Sequence, residues 1–127
     1  MGDNILVDTS VLISAQRSSV HLEQLSKYRS KLAISRITAC ELLYGSRNTE
    51  ERKRNKELVD FFPIIELDPS ISHFGYTLLD KYCLKVKLSI ADAFIASTVI
   101  VKHYHLWTEN NKHFSTIKGL ELFDGKS

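Results

Sequence analysis

The sequence predicts an α/β domain built on a mainly parallel sheet with helices on both faces. Three observations carry that expectation. Short apolar runs rich in strand formers recur along the chain. Helical patterns separate them, as the crossovers between parallel strands do. The segment 90–104 is apolar nearly all round, which suits a helix buried against such a sheet.

Taken in order, Ile5-Leu6-Val7 reads as a strand that stops at Asp8-Thr9-Ser10. Both hydroxyls are good helix caps, and Val11-Leu12-Ile13 can begin a helix. Val20 to Arg29 sets Leu22 and Leu25 on one face with charges between, an amphipathic helix. Leu32-Ala33-Ile34 is a second strand, and Thr38 to Tyr44 a helix stopped by Gly45. Glu50 to Phe62 is a charged helix with an apolar end. Ile64 to Leu67 is a third strand closed by Asp68-Pro69. Ile71 to Lys85 carries Phe74, Leu78, Leu79 and Tyr82 at helical spacing, and Ile90 to Tyr104 is the apolar helix. His105 to Thr108 and Leu120 to Leu122 supply the last two strands, for a sheet of four to five. No repeat, low-complexity stretch or linker interrupts the chain, so residues 1–127 are expected to form one domain.

Composition excludes several classes. The chain has 127 residues, 43% apolar and 25% charged, as a globular domain does, and needs no covalent staple. Cys40 and Cys83 lie far apart, with no Cys-x-x-Cys pair and no Cys/His cluster at zinc spacing. A disulfide scaffold and a zinc module are disfavoured, and a reducing compartment such as the cytoplasm is expected. The longest apolar run, Ala93 to Val101, is half a membrane span, and no basic leader precedes the first strand.

Three carboxylates stand in unusually apolar surroundings. Asp8 is the only charge between Ile5 and Gln16 and ends the first strand; Glu41 lies in a packed helix; Asp92 is the only charge between Leu88 and Val101. A lone ionised carboxylate in low dielectric is costly unless something pairs with it, and the nearest cation in sequence is Arg36. In parallel sheets the ligand site lies beyond the carboxyl ends of the strands, where Asp8 falls. If the three converge there, their repulsion calls for a hard divalent cation with oxygen ligands, Mg²⁺ or Mn²⁺. A purely structural role competes: Thr38-x-x-Glu41 and Ser89-x-x-Asp92 both fit the capping box, and Asp8 can cap the helix after it. The two roles are compatible, since a capping acid is held rigidly.

These residues carry a family resemblance. The segments ILVDTSVLI (5–13), ISRITACELLYG (34–45), LSIADAFIAS (88–97) and LWTENNKHFSTIKGLELF (106–123) resemble, in order and spacing, the PIN-domain nucleases. Within them they resemble the VapC-type toxins of prokaryotic toxin–antitoxin pairs. The resemblance implies a three-layer PIN fold and a metal-dependent endoribonuclease that leaves 5′-phosphate and 3′-hydroxyl ends. By position, Asp8, Glu41 and Asp92 match the family's first three acids, which bind metal. Asn110 fills a fourth slot, where the family motif is Thr-x-Asp or Thr-x-Asn after Thr108. An amide oxygen can bind a metal or its water without charge, so single-metal chemistry is compatible. Glu109, beside it, should point to the opposite face. Thr9 and Ser10 can bond an acid or a metal water, or simply cap the next helix.

Around this set, Arg47, Arg52, Lys112 and His113 are candidate RNA contacts, although the run Arg52 to Lys56, flanked by glutamates, also reads as a solvated helix face. The remaining histidines show no ligand spacing; Cys40 reads as a small buried hydrophobe and Trp107 as core. A phospho-receiver also ends a parallel strand in Asp, but it needs an early acidic pair and a strand-end lysine; here Asp3 precedes the strand and Lys102 falls on a helix. A phosphatase would want Asp-x-Asp where this chain has Asp8-Thr9-Ser10. A PIN-like module that binds RNA or protein with weak catalysis is the main alternative, favoured by Asn110 and opposed by three intact acids.

The resemblance also implies a small cognate antitoxin and a homodimer or toxin–antitoxin hetero-oligomer, with no membrane partner. Leu22 and Leu25 are candidate contact residues. Setting aside the three acids leaves 12 acids against 17 bases, a formal +5 on the rest of the molecule. A basic body around a negative pocket suits a phosphate backbone.

Overall fold

The computed structural model describes residues 4–124; Asp3, weighed above for a receiver, lies outside them. The elements follow the predicted alternation. Strand β1 (Ile5–Val7) leads to α1 (Thr9–Ala15) and α2 (Ser19–Lys27), then a 3-10 turn (Arg29–Lys31) and β2 (Leu32–Ser35). Helices α3 (Arg36–Tyr44) and α4 (Thr49–Asp60) precede β3 (Ile64–Ile65). Then come α5 (Pro69–Tyr82), α6 (Ile90–Lys102), β4 (His105–Trp107) and α7 (Asn111–Phe114).

The sheet order is β3-β2-β1-β4, every pair parallel. Register places Leu6 opposite Ala33 on one side and Leu106 on the other. The expected fifth strand reduces to one parallel bridge, Leu106 with Leu122, so the described sheet has four strands. Beyond that bridge the chain turns into the Tyr28–Trp107–Phe123 aromatic cluster, whose ring centroids lie 5.0–5.8 Å apart. Trp107 is therefore half-buried at an edge rather than in the core.

Strand alternation divides the core between two faces. Ile5 and Val7 pack with Val11, Leu12, Leu25, Leu42 and Val59. Leu6, between them, packs on the other face with Leu78, Ile95, Val99 and Phe114. Helices therefore cover both faces of a sheet whose central strand is wholly buried, which gives three layers. Truncating a fully buried side chain such as Leu6 to alanine costs about 2–5 kcal/mol in cores of this kind. On the second face α5 lies against α6 closely enough that a Cβ at Gly75 would meet the Phe94 ring at 2.5 Å.

Several boundaries moved for identifiable reasons. Helix α3 starts at Arg36 because Ser35, at the end of β2, accepts from the Ile37 N–H. Thr38 is thus inside the helix and fully buried, and no capping box joins it to Glu41. The pattern at Ser89 does hold in its first half: Ser89 Oγ accepts from the Asp92 N–H at 3.1 Å. Asn48 caps α4 and Asp68 caps α5 in the same way. Leu22 is half-exposed although Leu25 is buried, because the short α2 turns only one edge to α1. Helix α6 is buried through its middle, Ala93 and Ile95 to Val99, while Ile90 in its first turn is 67% exposed, so it is not buried all round. Cys40 is exposed, on the solvent side of α3, so it is not a core hydrophobe.

Candidate active site

Asp8 sits one residue beyond β1, buried to 6% exposure, with its N–H held by the Trp107 carbonyl of the neighbouring strand at 2.8 Å. It occupies the cap position of α1, but its side chain makes no capping bond. Instead two hydroxyls converge on one oxygen: Ser10 Oγ donates to Asp8 Oδ2 at 2.7 Å and Thr108 Oγ1 at 2.8 Å. Oδ1 has no protein partner among the described residues. The hydroxyls are themselves fixed, since Ser10 accepts from the Glu109 N–H and Thr108 from the Asn110 N–H, each at 3.0 Å. Helix capping as the whole role of Ser10 is thereby excluded. It spans from α1 to the end of β4.

Glu41 reaches the same edge from α3. Thr9 Oγ1 donates to Glu41 Oε1 at 2.6 Å, with the Thr38 hydroxyl 3.2 Å from the same Thr9 oxygen. So Thr9, too, serves an acid instead of a cap. Burial pushes the Glu41 carboxyl above its ordinary range; the Thr9 bond opposes this, and the nearby charges of Asp8 and Asp92 add to the rise. Asp92, in the first turn of α6, is pushed up by burial and then by Asp8, while His113 and the Ser89 hydroxyl oppose. Three acids far apart in sequence therefore feel one another's charge at the carboxyl edge of the sheet.

His113 Nε2 lies 3.2 Å from Asp92 Oδ2, off the line a hydrogen bond requires, so the contact is one of charge when the ring is protonated. Arg36, the nearest cation in sequence, is drawn away: its guanidinium forks onto both oxygens of Glu66. No basic side chain neutralises Glu41 or Asp8 among the described residues.

The remaining predicted residues are placed less centrally. Asn110 begins α7 with an exposed side chain that caps nothing and makes no contact with the acids among the described residues. Lys112 is exposed beside His113. Arg47 is held by Glu51, with Nη2 to Oε2 at 2.7 Å, and the pairing draws the Glu51 carboxyl down to about 2. Arg52 is exposed on α4 and does not line the groove of about 740 Å³ that opens beside Glu41. Arg17, Arg47 and Arg54 supply that groove's positive charge, facing Glu51 and Glu57. Arg47 was a sequence candidate and Arg54 lies in the basic run of α4, whereas nothing local marks Arg17.

Glu109 was expected to face away from Asp8, and it does. It accepts from Ser14 and lies 2.9 Å from His21 Nε2, fastening the end of β4 to α1 and α2.

The donor set at the edge is oxygen only, three carboxylates with hydroxyls around them. No three His, Cys, Asp or Glu side chains among the described residues are drawn together as a ready cage. That still fits Mg²⁺, which keeps several waters and takes one or two carboxylates directly.

Comparison with known proteins gives the family. The PIN domain family matches residues 5–120. Ribonuclease VapC1 of Methanocaldococcus jannaschii is 36% identical, over 94% of this chain and 87% of that protein. Ribonuclease VapC1 of Rickettsia felis is 35% identical, over 93% of each. Among solved structures, a toxin-antitoxin complex from Klebsiella pneumoniae is 26% identical with a TM-score of 0.77, covering 98% of this chain and 99% of that one. The DNA-bound VapBC of Salmonella typhimurium has a TM-score of 0.82 at 20% identity, over 97% of this chain and 98% of that one, a likeness of fold. With the match spanning nearly the whole chain and the acids gathered at the sheet edge, the protein belongs to the PIN domain family, among the VapC ribonucleases.

Proposed function

We propose that this chain is a divalent-metal-dependent endoribonuclease, the toxin of a VapBC-type pair. The observation that carries the reading is the hydroxyl-clamped Asp8 beside Glu41 and Asp92, acids that repel one another and that no Lys or Arg pairs with among the described residues. Asp8 through Oδ1, Asp92 and Glu41 would hold Mg²⁺ or Mn²⁺, directly or through its waters. When bound, such an ion lowers the pKa of a coordinated water and neutralises the scissile phosphate.

The chain's own residues do the rest. Ser10 and Thr108 fix the Asp8 carboxylate in one rotamer, and Thr9 does the same for Glu41. Glu41, with a raised pKa, is suited to accept a proton from the attacking water. Asn110 contributes an uncharged amide at the rim, and His113 steadies Asp92. Arg47, Arg52 and Lys112 are the candidate contacts to RNA phosphate away from the reacting bond.

Cleavage of labelled RNA by purified protein with Mn²⁺, with EDTA, and by Asp8→Asn tests this reading. The variant keeps acceptors for Ser10 and Thr108, so it should fold and lose activity by about a hundredfold or more. A folded Asp8→Asn protein with near-full, chelator-sensitive cleavage would overturn the assignment. No cleavage of any RNA by the parent protein would favour a binding module.

Solved structures similar to this chain include a toxin-antitoxin complex, which supports a partner of that kind. We place a cognate antitoxin and a hetero-oligomer, or a homodimer, with this chain, acting in the cytoplasm on cellular RNA. No helix among the described residues is long and apolar enough to cross a membrane. Growth arrest on expression, relieved by an adjacent small gene, is the expected result.

A further inference from the structure

We infer that the RNA strand leaves the site over a lysine surface formed by the α5–α6 connection and α7, with Lys81, Lys85, Lys87, Lys112 and Lys118 holding its phosphates. The inference rests on the ribonuclease reading above and deepens it by naming where the substrate docks.

All five lysines are exposed, and none is paired with an acid among the described residues. Segments 81–87 and 112–118 together carry these five lysines and no carboxylate. The nearest acids in sequence are Asp80, Glu109 and Glu121; Glu109 is engaged with His21 at 2.9 Å and Glu121 with His105 at 3.3 Å. The helix α4 differs: with Arg47 before it, it interleaves its bases with Glu50, Glu51, Glu57 and Asp60, and Arg47 is already forked onto Glu51. The lysine segments carry their charge with no acid between the bases.

The two lysine segments form one surface. Tyr82 Oη accepts from the Lys118 N–H at 3.0 Å, which ties the end of α5 to the turn after α7. Lys81 Nζ stands 5.4 Å from the Tyr82 ring, and Lys85 acts on the same hydroxyl. Beneath them Tyr82, Leu88, Phe114 and Ile117 share one buried cluster, so the surface is rigidly backed.

It also abuts the acids. Lys87 lies two residues before the Ser89 cap of α6, whose first turn carries Asp92, and Lys112 adjoins His113 beside Asp92. The arginine groove, lined by α3, α4 and α1, lies beside Glu41. Since α3 follows β2 and α7 follows β4, the strands flanking β1, the two positive surfaces approach Asp8 from opposite sides. Lys87 is held at φ 53°, a left-handed conformation rare for a side chain of this size, and such outliers gather where a residue is aimed at something. Lysines present point charges without base-reading geometry, which suits a phosphate backbone irrespective of sequence.

The test uses the inactive Asp8→Asn chain so that binding can be read without cleavage. Its affinity for a labelled single-stranded RNA is measured against salt, alone and with Lys81→Ala, Lys85→Ala and Lys87→Ala combined. Removal of three phosphate contacts should flatten the slope of log affinity against log salt by about 2, whereas Lys31→Ala, exposed at the amino end of β2 and so across the sheet from the acids, should leave it unchanged. An unchanged slope and affinity in the triple variant, with RNA still bound, would overturn the surface while the ribonuclease reading stands. Equal loss in Lys31→Ala would also overturn it, by showing diffuse attraction. If the parent chain neither binds nor cuts RNA, both readings fall together. A triple variant that binds RNA normally but loses an acidic polyglutamate probe marks a protein-docking face and overturns the proposal. An unchanged melting temperature accompanies the supporting result.

Discussion

Thr9 Oγ1 donates to Glu41 Oε1 across 2.6 Å, joining the first turn of α1 to α3 over 32 residues of sequence. A partly buried carboxylate with one strong donor depends on that donor for its orientation and for part of its solvation.

Thr9→Val removes the donor at nearly constant shape. Cleavage should fall by roughly 10–100-fold, the usual effect of losing a partner that orients a ligand. Thr9→Ser should restore most of the rate. Equal rates for the valine and serine variants would show that the bond does not position Glu41.

Glu41 also makes a pH prediction. Its carboxyl is raised in the fold by burial, with Asp8 and Asp92 adding to the effect. A raised acid costs nothing while protonated, and folding loses stability as pH rises through the raised value. Glu41→Gln should therefore be more stable than the parent near pH 7 in EDTA. The advantage should fade as pH falls, and vanish below about pH 4, where both folded and unfolded Glu41 are protonated. Urea unfolding at both pH values measures it; a stability difference independent of pH would contradict the cause assigned.

Arg47 is occupied by Glu51, which is drawn down to about 2, so the pair persists across all ordinary pH values. Glu51→Gln should release the guanidinium towards the groove. RNA affinity should rise a few-fold at low salt, with a steeper salt slope by about 0.7, one phosphate contact. Weaker binding would show that Glu51 orients Arg47 productively.

Gly75 lets α5 approach α6. Gly75→Ala places a methyl 2.5 Å from a Phe94 ring carbon. The cost should be about 1–3 kcal/mol, the range for overpacking, seen as a lower melting temperature. An alanine variant as stable as the parent would mean that the ring swings aside freely.

The sequence by itself determined the layered architecture and made three acids conspicuous. The apolar run Ile5-Leu6-Val7 needs no partner to be visible, and one charge among apolar residues, as at Asp8 or Asp92, is conspicuous on energetic grounds alone. Local caps such as Ser89 are equally legible, because the donor lies three residues away. Only the tertiary structure decided what the hydroxyls do. Thr9 and Ser10 look like caps until α3 and β4 bring Glu41 and Thr108 alongside, contacts spanning 32 and 98 residues. The same holds for Arg36, captured by Glu66, and for Thr38, which Ser35 displaces from the cap. Leu120 to Leu122 has strand composition, yet it yields one bridge because Phe123 is drawn into the Tyr28 and Trp107 cluster. Composition sets which groups are costly to bury; the fold chooses which distant partner relieves each cost.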